Sequence, residues 1–332
     1  PSSIIAEGID CFGVAGDRGD VAMVGYGAAR YALASGNRNE AEKLWPLIEW
    51  CLEYCHRQLN VDGVVKSDSD ELENRFPAGK ANLCTSSLYY DALISAAYLG
   101  KALKKEHKQI KSYQDRAAEL YKNIDVYFAR NVEGYDTYRY YDGNTVLRSW
   151  ICIPLTMGIY EQAKGTVEAL FSDKLWMENG LLTQSGTSTY WDRSTLYAFR
   201  GAYSCGARDI ATEYLDKYSA TRLLGDHVPY AVEAWPEGNQ RHLSTESALY
   251  CRIMTEGLFG IRPIALDAFV MTPQLPESWN MMSLKRVCAF GSIFDIEVKR
   301  DKDNKLSVLI KKDHKIVKRS KIMNGKPIEV RI

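Results

Sequence analysis

Apolar residues recur at helical spacing along most of the chain, up to about residue 260. In nine stretches they fall at positions i, i+3, i+4 and i+7, which is the period of an amphipathic α-helix. Helices rich in small residues alternate with more charged helices, and short connections join them in pairs. The predicted helices cover residues 21–37, 40–59, 86–103, 110–129, 147–160, 161–171, 193–207, 208–219 and 244–260.

Glycine and proline indicate where these helices end or bend. Gly36, Gly100 and Gly206 lie where a residue with left-handed backbone commonly closes a helix, so each predicts a helix C-terminus. Pro46 lies inside a helical stretch and lacks the backbone N–H that a helix interior uses. It therefore predicts a bend or a restart of that helix.

Repeated helical hairpins predict a solenoid or a closed toroid. The connections within hairpins are short, whereas those between hairpins are long and cover 59–85, 131–147, 172–190 and 220–244. If the hairpins alternate in direction, all the long loops emerge at one end. Small residues suit a crowded inner ring of helices. We therefore expect a mainly α fold, a double-layered α/α toroid, with functional residues in the loops at one mouth.

The pattern changes at about residue 263. FGSIFDIEVKR, KLSVLIKK and PIEVRI alternate between apolar and polar residues as strands do, and DKDN and MNGK have the composition of turns. We therefore predict a small antiparallel, sandwich-like β domain over 263–332, after a helical domain over 1–262. Its many lysines are interpreted as a solvated sheet face, with a basic docking patch as the alternative.

Composition narrows the functional classes. The 332 residues carry 42 basic and 42 acidic side chains, so the chain has no global attraction for nucleic acid or anionic membranes. No apolar run approaches the length of a membrane span. The 8 cysteines form no CxxC pair and no metal-ligand cluster with histidine. Cys84, Cys152, Cys205 and Cys251 lie in or beside apolar helical patterns and are expected to be small buried side chains.

Aromatic residues are abundant and many lie in polar loops. The chain has 21 Tyr, 7 Trp and 9 Phe, often among Asp, Glu, Arg and Asn. Flat rings bind the C–H faces of sugars, while carboxylates and amides bind their hydroxyls. This mixture favours a carbohydrate ligand, although packing in the core is the alternative for any single ring.

Four stretches carry motif-like patterns, namely SDSDELENRFPAGKANLCTSSLYYDAL, YWDRSTLYAFRGAY, AVEAWPEG and TEGLFGIRPIALDAFVMTPQLPESW. Together they resemble the six-hairpin (α/α)6-barrel glycosidases, the group of glucoamylases, trehalases, α-L-rhamnosidases, processing α-glucosidases and inverting disaccharide phosphorylases. The resemblance implies that the predicted toroid is an (α/α)6 toroid. SDSDELENRFPAGKANLCTSSLYYDAL is similar to the acid loop and following inner helix of the α-glucosidase-like members, and YWDRSTLYAFRGAY to their YWRGP-type segment. AVEAWPEG is similar to their E-x-x-x-P-x-x-G-type base loop, with one residue fewer. TEGLFGIRPIALDAFVMTPQLPESW resembles the exit from the last helix into the C-terminal sandwich.

The resemblance implies an exo-acting, inverting glycoside hydrolase that needs no cofactor and no metal. Its partner would be an oligosaccharide or glycoside substrate, with no nucleic acid and no membrane span. Barrels of this family have twelve helices, whereas nine are predicted here. We therefore expect about three helices, and an N-terminal β domain, to precede Pro1 in the whole protein.

The acid loop supplies the candidate proton donor. Inverting hydrolysis needs a protonated carboxyl group at the glycosidic oxygen and a carboxylate that activates water, roughly 6.5–9.5 Å apart. Alignment on Arg75 and Phe76 puts Glu71 where the family's acid stands, with Asp70 as the next candidate. Neighbouring carboxylates over 68–73 would raise the pKa of the acid. A solvated acidic turn is the alternative, and Arg75 and Phe76 are candidate sugar contacts.

The stretch AVEAWPEGNQRHLSTES supplies the candidate base. Glu233 matches the family's base position, and Glu237 is its rival within the same loop. Trp235 lies between them, and Arg241 and His242 are candidates for binding sugar hydroxyls. A surface loop with no catalytic role is the alternative.

A third group of candidates precedes the seventh helix. Tyr190, Trp191, Asp192 and Arg193 match a family segment that contacts the terminal sugar. Aromatic packing with a surface ion pair is the alternative.

The segment AGDRGD supplies the runner-up acid. The rhamnosidase branch takes its acid from a D-E-R-x-G-type loop at this relative position, so the resemblance offers Asp17 or Asp20. Asp20 is alternatively the cap of its helix.

Other functions fit parts of the same pattern. A phosphorylase would use phosphate in place of water, with Arg241, His242, Ser244 and Thr245 as a phosphate site at a helix N-terminus. A non-catalytic carbohydrate-binding protein would share the fold. A toroid polysaccharide lyase would act on acidic sugars, which the 5 His and the neutral charge disfavour. The sequence has no nucleotide-binding or Ser-His-Asp signature.

Overall fold

The computed structural model describes residues 18–67, 76–222 and 244–332, and within these ranges it confirms the nine predicted helices. A 3₁₀ turn over Ser149–Cys152 leads into the fifth helix, and a π-helical turn over Ile253–Leu258 continues the ninth. The helices are α1 (Arg18–Ser35), α2 (Arg38–Arg57), α3 (Leu83–Leu103), α4 (His107–Phe128), α5 (Ile153–Met157), α6 (Ala163–Leu170), α7 (Asp192–Ser204), α8 (Arg208–Arg222) and α9 (Ser244–Arg252).

The helices form an inner and an outer layer. Helix α3 is buried around nearly its whole circumference, which its Ala, Ser, Leu and Gly residues permit. Helix α2 instead buries one face, with Ala41, Ile48 and Cys55 in the core. Helices α1, α3, α5 and α7 pack side by side in chain order, and α7 packs against α9. Since each inner helix is followed by an outer one, this is the arrangement of an α/α barrel, as predicted.

Two of the three predicted glycine caps are confirmed. Gly36 and Gly206 have φ angles of +71° and +93° directly after α1 and α7. The prediction for Gly100 is wrong, because α3 continues to Leu103 and Lys104 takes the left-handed position. A Cβ atom at Gly100 would lie 3.1 Å from Trp45, so close helix packing is what requires glycine there.

Pro46 does not restart a helix. Helix α2 runs from Arg38 to Arg57 with Pro46 inside it. The side chain of Asn37 accepts hydrogen bonds from two backbone N–H groups of its first turn, which fixes where the helix begins.

The long connections hydrogen bond to one another at the end of the barrel where α3, α5 and α7 begin, which we call the mouth. Leu83 N donates to Tyr140 O at 2.9 Å, and Ser185 N donates to Leu147 O at 2.9 Å. Short hairpins stiffen these loops. They are β1 (Ala129–Val132) with β2 (Tyr135–Tyr138), and β3 (Trp176–Met177) with β4 (Gly180–Leu181).

Two antiparallel sheets follow the helices. One has the order β11-β6-β5 and the other β10-β9-β8-β7. Phe269 of the first sheet lies 5.0 Å from Phe290 and 5.7 Å from Phe294, measured between ring centroids, so the sheets share apolar contacts. The strands are β5 (Ile261–Ala265), β6 (Ala268–Met271), β7 (Met281–Ala289), β8 (Ser292–Arg300), β9 (Leu306–Lys312), β10 (Lys315–Ile322) and β11 (Ile328–Arg331).

The four-stranded sheet contacts the carboxyl end of α1. Phe290 N donates to Ala34 O at 2.6 Å and Gly291 N donates to Ser35 O at 3.1 Å. A Cβ atom on Gly36 would lie 2.3 Å from Gly291 N, so this backbone contact leaves no room for a side chain. We call this end of the barrel, where the inner helices finish, the base.

The cysteine prediction is right for most of the described cysteines and wrong for Cys251. Cys84 and Cys152 are buried and Cys205 is half-buried, whereas Cys251 is exposed because it lies on the outward face of α9.

The described ranges hold no group of three His, Cys, Asp or Glu side chains arranged to bind a metal ion. Nor do they include a helix whose length and apolar character would suffice to cross a bilayer.

Candidate active site

The structure describes only part of the predicted site. The described candidates are Phe76, Tyr190, Trp191, Asp192, Arg193 and Asp20. The candidates that lie outside the described residues are Glu71, Glu233, Asp70, Arg75, Trp235, Glu237, Arg241, His242 and Asp17. The geometry below therefore concerns the residues that flank the two candidate catalytic loops.

Three aromatic rings form the floor of the mouth. Trp191 immediately precedes α7, and its backbone N–H donates to Leu181 O at 3.0 Å. The Trp150 ring lies edge-on to the Trp191 ring at 4.8 Å and to the Tyr197 ring at 5.5 Å. All three side chains are buried. We call them the aromatic floor, and they give the polar groups around them a rigid support.

Asp192 forms a buried ion pair with Arg222. Its Oδ2 atom lies 2.8 Å from Arg222 Nη2, and each side chain is 1% exposed. Asp192 begins α7 and Arg222 ends α8, so each charge also complements the dipole of its own helix. Burial, followed by the negative charge of Asp192, raises the pKa of the neighbouring Tyr218 well above its ordinary value, so Tyr218 stays protonated. This pair joins the two helices of the hairpin at the mouth.

Arg193 forms a second ion pair, with Glu246 in the first turn of α9. Arg193 Nε donates to Glu246 Oε1 at 2.6 Å, and the guanidinium lies 5.3 Å from the centroid of the Trp191 ring. Glu246 is fully buried, and its Oε2 atom has no hydrogen-bond partner among the described residues. Arg193 is half-buried, so it is a polar group that a ligand at the mouth can reach.

Arg148 is a buried cation that sequence analysis missed. It precedes the 3₁₀ turn that leads into α5, and its guanidinium lies 4.9 Å from the Phe76 ring and 4.7 Å from the Tyr140 ring. Arg148 Nη1 donates to Pro77 O at 3.1 Å. Its Nε and Nη2 atoms have no hydrogen-bond acceptor in the part of the chain that the structure describes. Arg148 thus anchors the residues that directly follow the candidate acid loop.

Glu133 holds the rim of the mouth together. It lies in the β1–β2 turn with a φ angle of +50°, an unusual conformation for a residue with a side chain. Its carboxylate accepts hydrogen bonds from Leu147 N at 2.7 Å and Ser185 Oγ at 3.2 Å. Glu133 therefore connects three loops whose spacing in the sequence gives no sign of contact.

The structure brings together some of the predicted residues and separates another. Trp191, Asp192 and Arg193 lie around the aromatic floor, with Trp191 and Asp192 buried and Tyr190 half-buried. Asp20 is exposed and is the third residue of α1, because that helix begins at Arg18. It therefore lies inside the first turn rather than at the N-cap position.

Glu246 and Arg222 were also missed by sequence analysis. The local signal for Glu246 is an acidic residue in the first turn of a helix, which is common because of the helix dipole. Its partner Arg193 is distant along the chain, so the pairing appears only in three dimensions.

The fold is shared with solved glycosidases. The structure superimposes on a sialidase with a TM-score of 0.69 and 15% sequence identity, over 92% of this chain and 32% of the sialidase. A rhamnosidase from Bacillus sp. GL1 gives a TM-score of 0.53 at 13% identity, over 85% of this chain and 29% of that protein. An α-L-rhamnosidase from Dictyoglumus thermophilum gives 0.50 at 12% identity, over 90% and 37% respectively.

These comparisons define the fold. The chain has the fold of the six-hairpin α/α-barrel glycosidases, as the resemblance of its motifs predicted. It spans about a third of the length of the solved structures that it matches. No protein-family model matches the sequence, and no curated protein sequence does either.

Proposed function

We propose that this chain is the catalytic part of a glycoside hydrolase that acts on chain ends with inversion of the anomeric centre. Glu71 is the proposed general acid, with Asp70 as its substitute, and Glu233 is the proposed general base. The substrate is an oligosaccharide or glycoside that enters the mouth of the barrel.

The observation that carries this proposal is the convergence of the described flanks of both candidate loops on the aromatic floor. Phe76, which follows the acid loop, packs on Arg148, two residues before Trp150. Glu246, which follows the base loop, pairs with Arg193 over Trp191. The Trp150 and Trp191 ring centroids are 4.8 Å apart, so the residues that directly follow the two loops are held by neighbouring parts of the floor.

This convergence fits the chemistry of inversion. An inverting enzyme holds two carboxyl groups on opposite sides of one sugar, roughly 6.5–9.5 Å apart. Loops that flank a single rigid floor can supply such a pair, provided the floor does not move during the reaction. The buried ion pairs of Asp192 and Glu246 give the floor that rigidity.

The described polar residues have supporting roles in the proposal. Arg193 and Tyr190 are half-buried and are proposed to bind hydroxyl or carboxylate groups of the terminal sugar. Trp191 and Asp192 are buried, so their proposed role is to position Arg193 and the start of α7.

The names of the structural neighbours suggest which substrates to test first. The solved proteins with this fold are named sialidase and rhamnosidase, and their names describe those proteins alone. We propose assaying the full-length protein on aryl sialosides and aryl α-L-rhamnosides, beside a panel of α- and β-linked glucosides, galactosides and disaccharides. Proton NMR of the first product reports the anomer and so tests inversion.

Variants test the two carboxylates separately. Glu71→Gln and Glu233→Gln are each expected to lower kcat by about 10³-fold or more, because each removes a group that acts in the transition state. Glu119→Gln, at an exposed position of the outer helix α4, is the matched control and should retain activity. Full activity in Glu233→Gln would shift the base to Glu237, and full activity in both Glu71→Gln and Asp70→Asn would contradict the acid assignment.

The same assay separates the alternatives. Turnover that requires added phosphate and yields a sugar phosphate would indicate a phosphorylase. Sugar binding without turnover, unchanged in Glu71→Gln and Glu233→Gln, would indicate a binding protein. Hydrolysis of no glycoside across the panel would count heavily against the proposal.

A further inference from the structure

A polar cavity of about 690 Å³ lies at the base of the barrel, at the opposite end from the mouth. Its wall includes Gly158 after α5, Gly206 after α7 and Gly260 after the π-helical turn, so it lies where the inner helices end. Val270 and Thr272 line the side of the cavity that faces the three-stranded sheet. We call it the base cavity.

The base cavity has a strong excess of positive charge. Among the described residues, five cationic side chains and one carboxylate line it. They are Arg30, Arg200, Arg208, Arg262, Lys326 and Glu256.

Two carboxylates, one from the buried Asp91 and one from the half-buried Glu256, are shared among the arginines. Arg30 donates to Asp91 through Nε at 2.9 Å and Nη2 at 3.0 Å, and to Glu256 through Nη1 at 2.7 Å. Arg262 also donates to Asp91, and Arg252 also donates to Glu256. Every carboxylate in this cluster is thus already occupied by more than one guanidinium.

Because the carboxylates are shared in this way, Arg200 has fewer hydrogen-bond acceptors than donors. Its side chain is 2% exposed, and it donates through Nη2 to Tyr26 Oη at 3.2 Å. Its Nη1 atom comes no closer than 3.5 Å to Glu256, and its Nε atom has no acceptor within the described ranges. A buried guanidinium with unfilled donors is costly, and such donors are normally satisfied by an anion or by water.

The ionisation of the neighbours is consistent with excess positive charge. Burial alone would raise the pKa of Tyr26, but the charges of Arg200, Arg252 and Arg30 outweigh burial and lower it. Glu256 shows the same balance, since burial would raise its pKa but the charges of Arg252, Arg200 and Arg30 lower it. The carboxylates are therefore already ionised, and the positive excess persists.

Helix dipoles do not cancel this excess. The carboxyl ends of α5 and α7 carry partial negative charge, but that effect falls off within the last turn of a helix. Arg200 lies a full turn before the end of α7, and Arg30 lies more than a turn before the end of α1.

We propose that the base cavity binds a small oxyanion, a phosphate or a carboxylate group, through the guanidinium of Arg200 with Arg208 and Arg262 beside it. A planar guanidinium fork matches the paired oxygen atoms of both groups. The base cavity lies where the inner helices end, whereas the proposed glycosidase site lies where they begin. The Arg200 guanidinium also lies 4.7 Å from the centroid of the Tyr197 ring in the aromatic floor. The proposal goes beyond the glycosidase function and does not depend on it.

Calorimetric titration tests the proposal without any need for turnover. The full-length protein is titrated with inorganic phosphate and with acetate, each at constant ionic strength set with chloride. We expect saturable binding of about one equivalent, and the tighter of the two anions identifies the chemical source. Absence of saturable binding with both anions would overturn the proposal.

Arginine variants locate the site. Arg200→Met should raise the dissociation constant at least about tenfold, as expected for the loss of a charge-assisted hydrogen bond. Arg262 is half-buried in the wall of the cavity. Arg262→Gln should also raise the dissociation constant, and it provides a second test in case Arg200→Met does not fold. Arg116→Met, which removes an arginine paired with Glu53 on the outer helices, is the matched control and should leave binding unchanged. Binding that survives both cavity variants, or that is lost equally in Arg116→Met, would contradict the assignment.

Discussion

The mouth and the base of the barrel both bury charged side chains, but they balance them differently. Around the start of α7 at the mouth, Asp192 faces Arg222 and Glu246 faces Arg193, so two carboxylates meet two guanidinium groups there. At the base, two carboxylates meet four guanidinium groups. The balanced pairs join α7 to α8 and α9, whereas the unbalanced cluster faces a cavity.

This difference separates two uses of buried charge within one fold. A balanced buried pair fixes the geometry of the elements that carry it, and removing one partner leaves the other charge uncompensated. An unbalanced cluster lacks negative charge, and a bound anion or water has to supply the missing hydrogen-bond acceptors. Removing an arginine should therefore destabilise the protein more at the balanced pair than at the unbalanced cluster.

The largest effect is expected for Asp91→Asn at the base. Asp91 is fully buried and accepts hydrogen bonds from Arg30 and Arg262, so its loss enlarges the positive excess. We expect the free energy of unfolding to fall by about 3–5 kcal/mol in urea titrations. Asp115→Asn, an exposed residue paired with Lys111, should change it by less than about 0.5 kcal/mol. Equal small effects would contradict the role given to Asp91.

The same residue predicts a pH dependence. Burial alone would raise the pKa of Asp91, but Arg30 and Arg262 outweigh burial and lower it below its ordinary value of 3.8. Its ionised form therefore stabilises the folded state above that value, and this stability is lost as the pH falls through the lower folded pKa. Asp91→Asn should flatten the loss of stability in acid, measured by urea titration from pH 6 downward.

The next effect is a contrast between two arginine substitutions. Arg222→Met leaves Asp192 buried without its partner, so the free energy of unfolding should fall by about 3 kcal/mol. Arg200→Met relieves the positive excess at the base, so the change should stay within about 1 kcal/mol. Both are buried arginines replaced by the same side chain, so each controls for the volume change in the other. Similar losses in both variants would remove the distinction between the two ends.

Activity provides a third test, which depends on the proposed function. Arg193→Gln keeps a hydrogen-bond donor near Glu246 but removes the charge at the mouth. Loss of one charge-assisted hydrogen bond in the transition state should lower kcat/KM by about 10- to 100-fold. Arg116→Gln, whose partner Glu53 lies on an outer helix, should leave kcat/KM unchanged.

The smallest effect is spectroscopic. The arginines at the base lower the pKa of Tyr26 below its ordinary value of 10. In an alkaline titration followed by tyrosinate absorbance, Tyr26→Phe should therefore remove an early-ionising component. Burial raises the pKa of Tyr89, so Tyr89→Phe should leave that component in place. An unchanged early component in Tyr26→Phe would argue against the excess of positive charge.

The helices could be predicted from the sequence because their signals are local. Apolar spacing identified all the helices in the described ranges, and glycine marked the ends of α1 and α7. The prediction for Gly100 was wrong because glycine is needed there for tertiary packing against Trp45 of another helix, and not to end its own helix. Strands β7 and β10 were not anticipated, since much of their surface is exposed and their alternation is weak.

The site could be predicted only in part, for a related reason. Tyr190 to Arg193 became candidates through a motif that lies in one continuous segment. Arg148 pairs with Phe76 and Glu246 with Arg193 across long sequence separations, so their roles appear only after folding. The base cluster was missed altogether, because Arg30 and Asp91 each occur inside helical patterns in which a single charge carries no signal.

The contact between α1 and the four-stranded sheet has a consequence for fragments of this protein. The last carbonyl groups of α1 receive their hydrogen bonds from Phe290 and Gly291, far along the chain. A fragment that ends before β7 would therefore lose the hydrogen bonds that cap the carboxyl end of α1. In hydrogen-exchange experiments, the amides of Phe290 and Gly291 should therefore become exchangeable together with the release of α1. Amide exchange in the turn between β7 and β8 would therefore report the opening of the barrel.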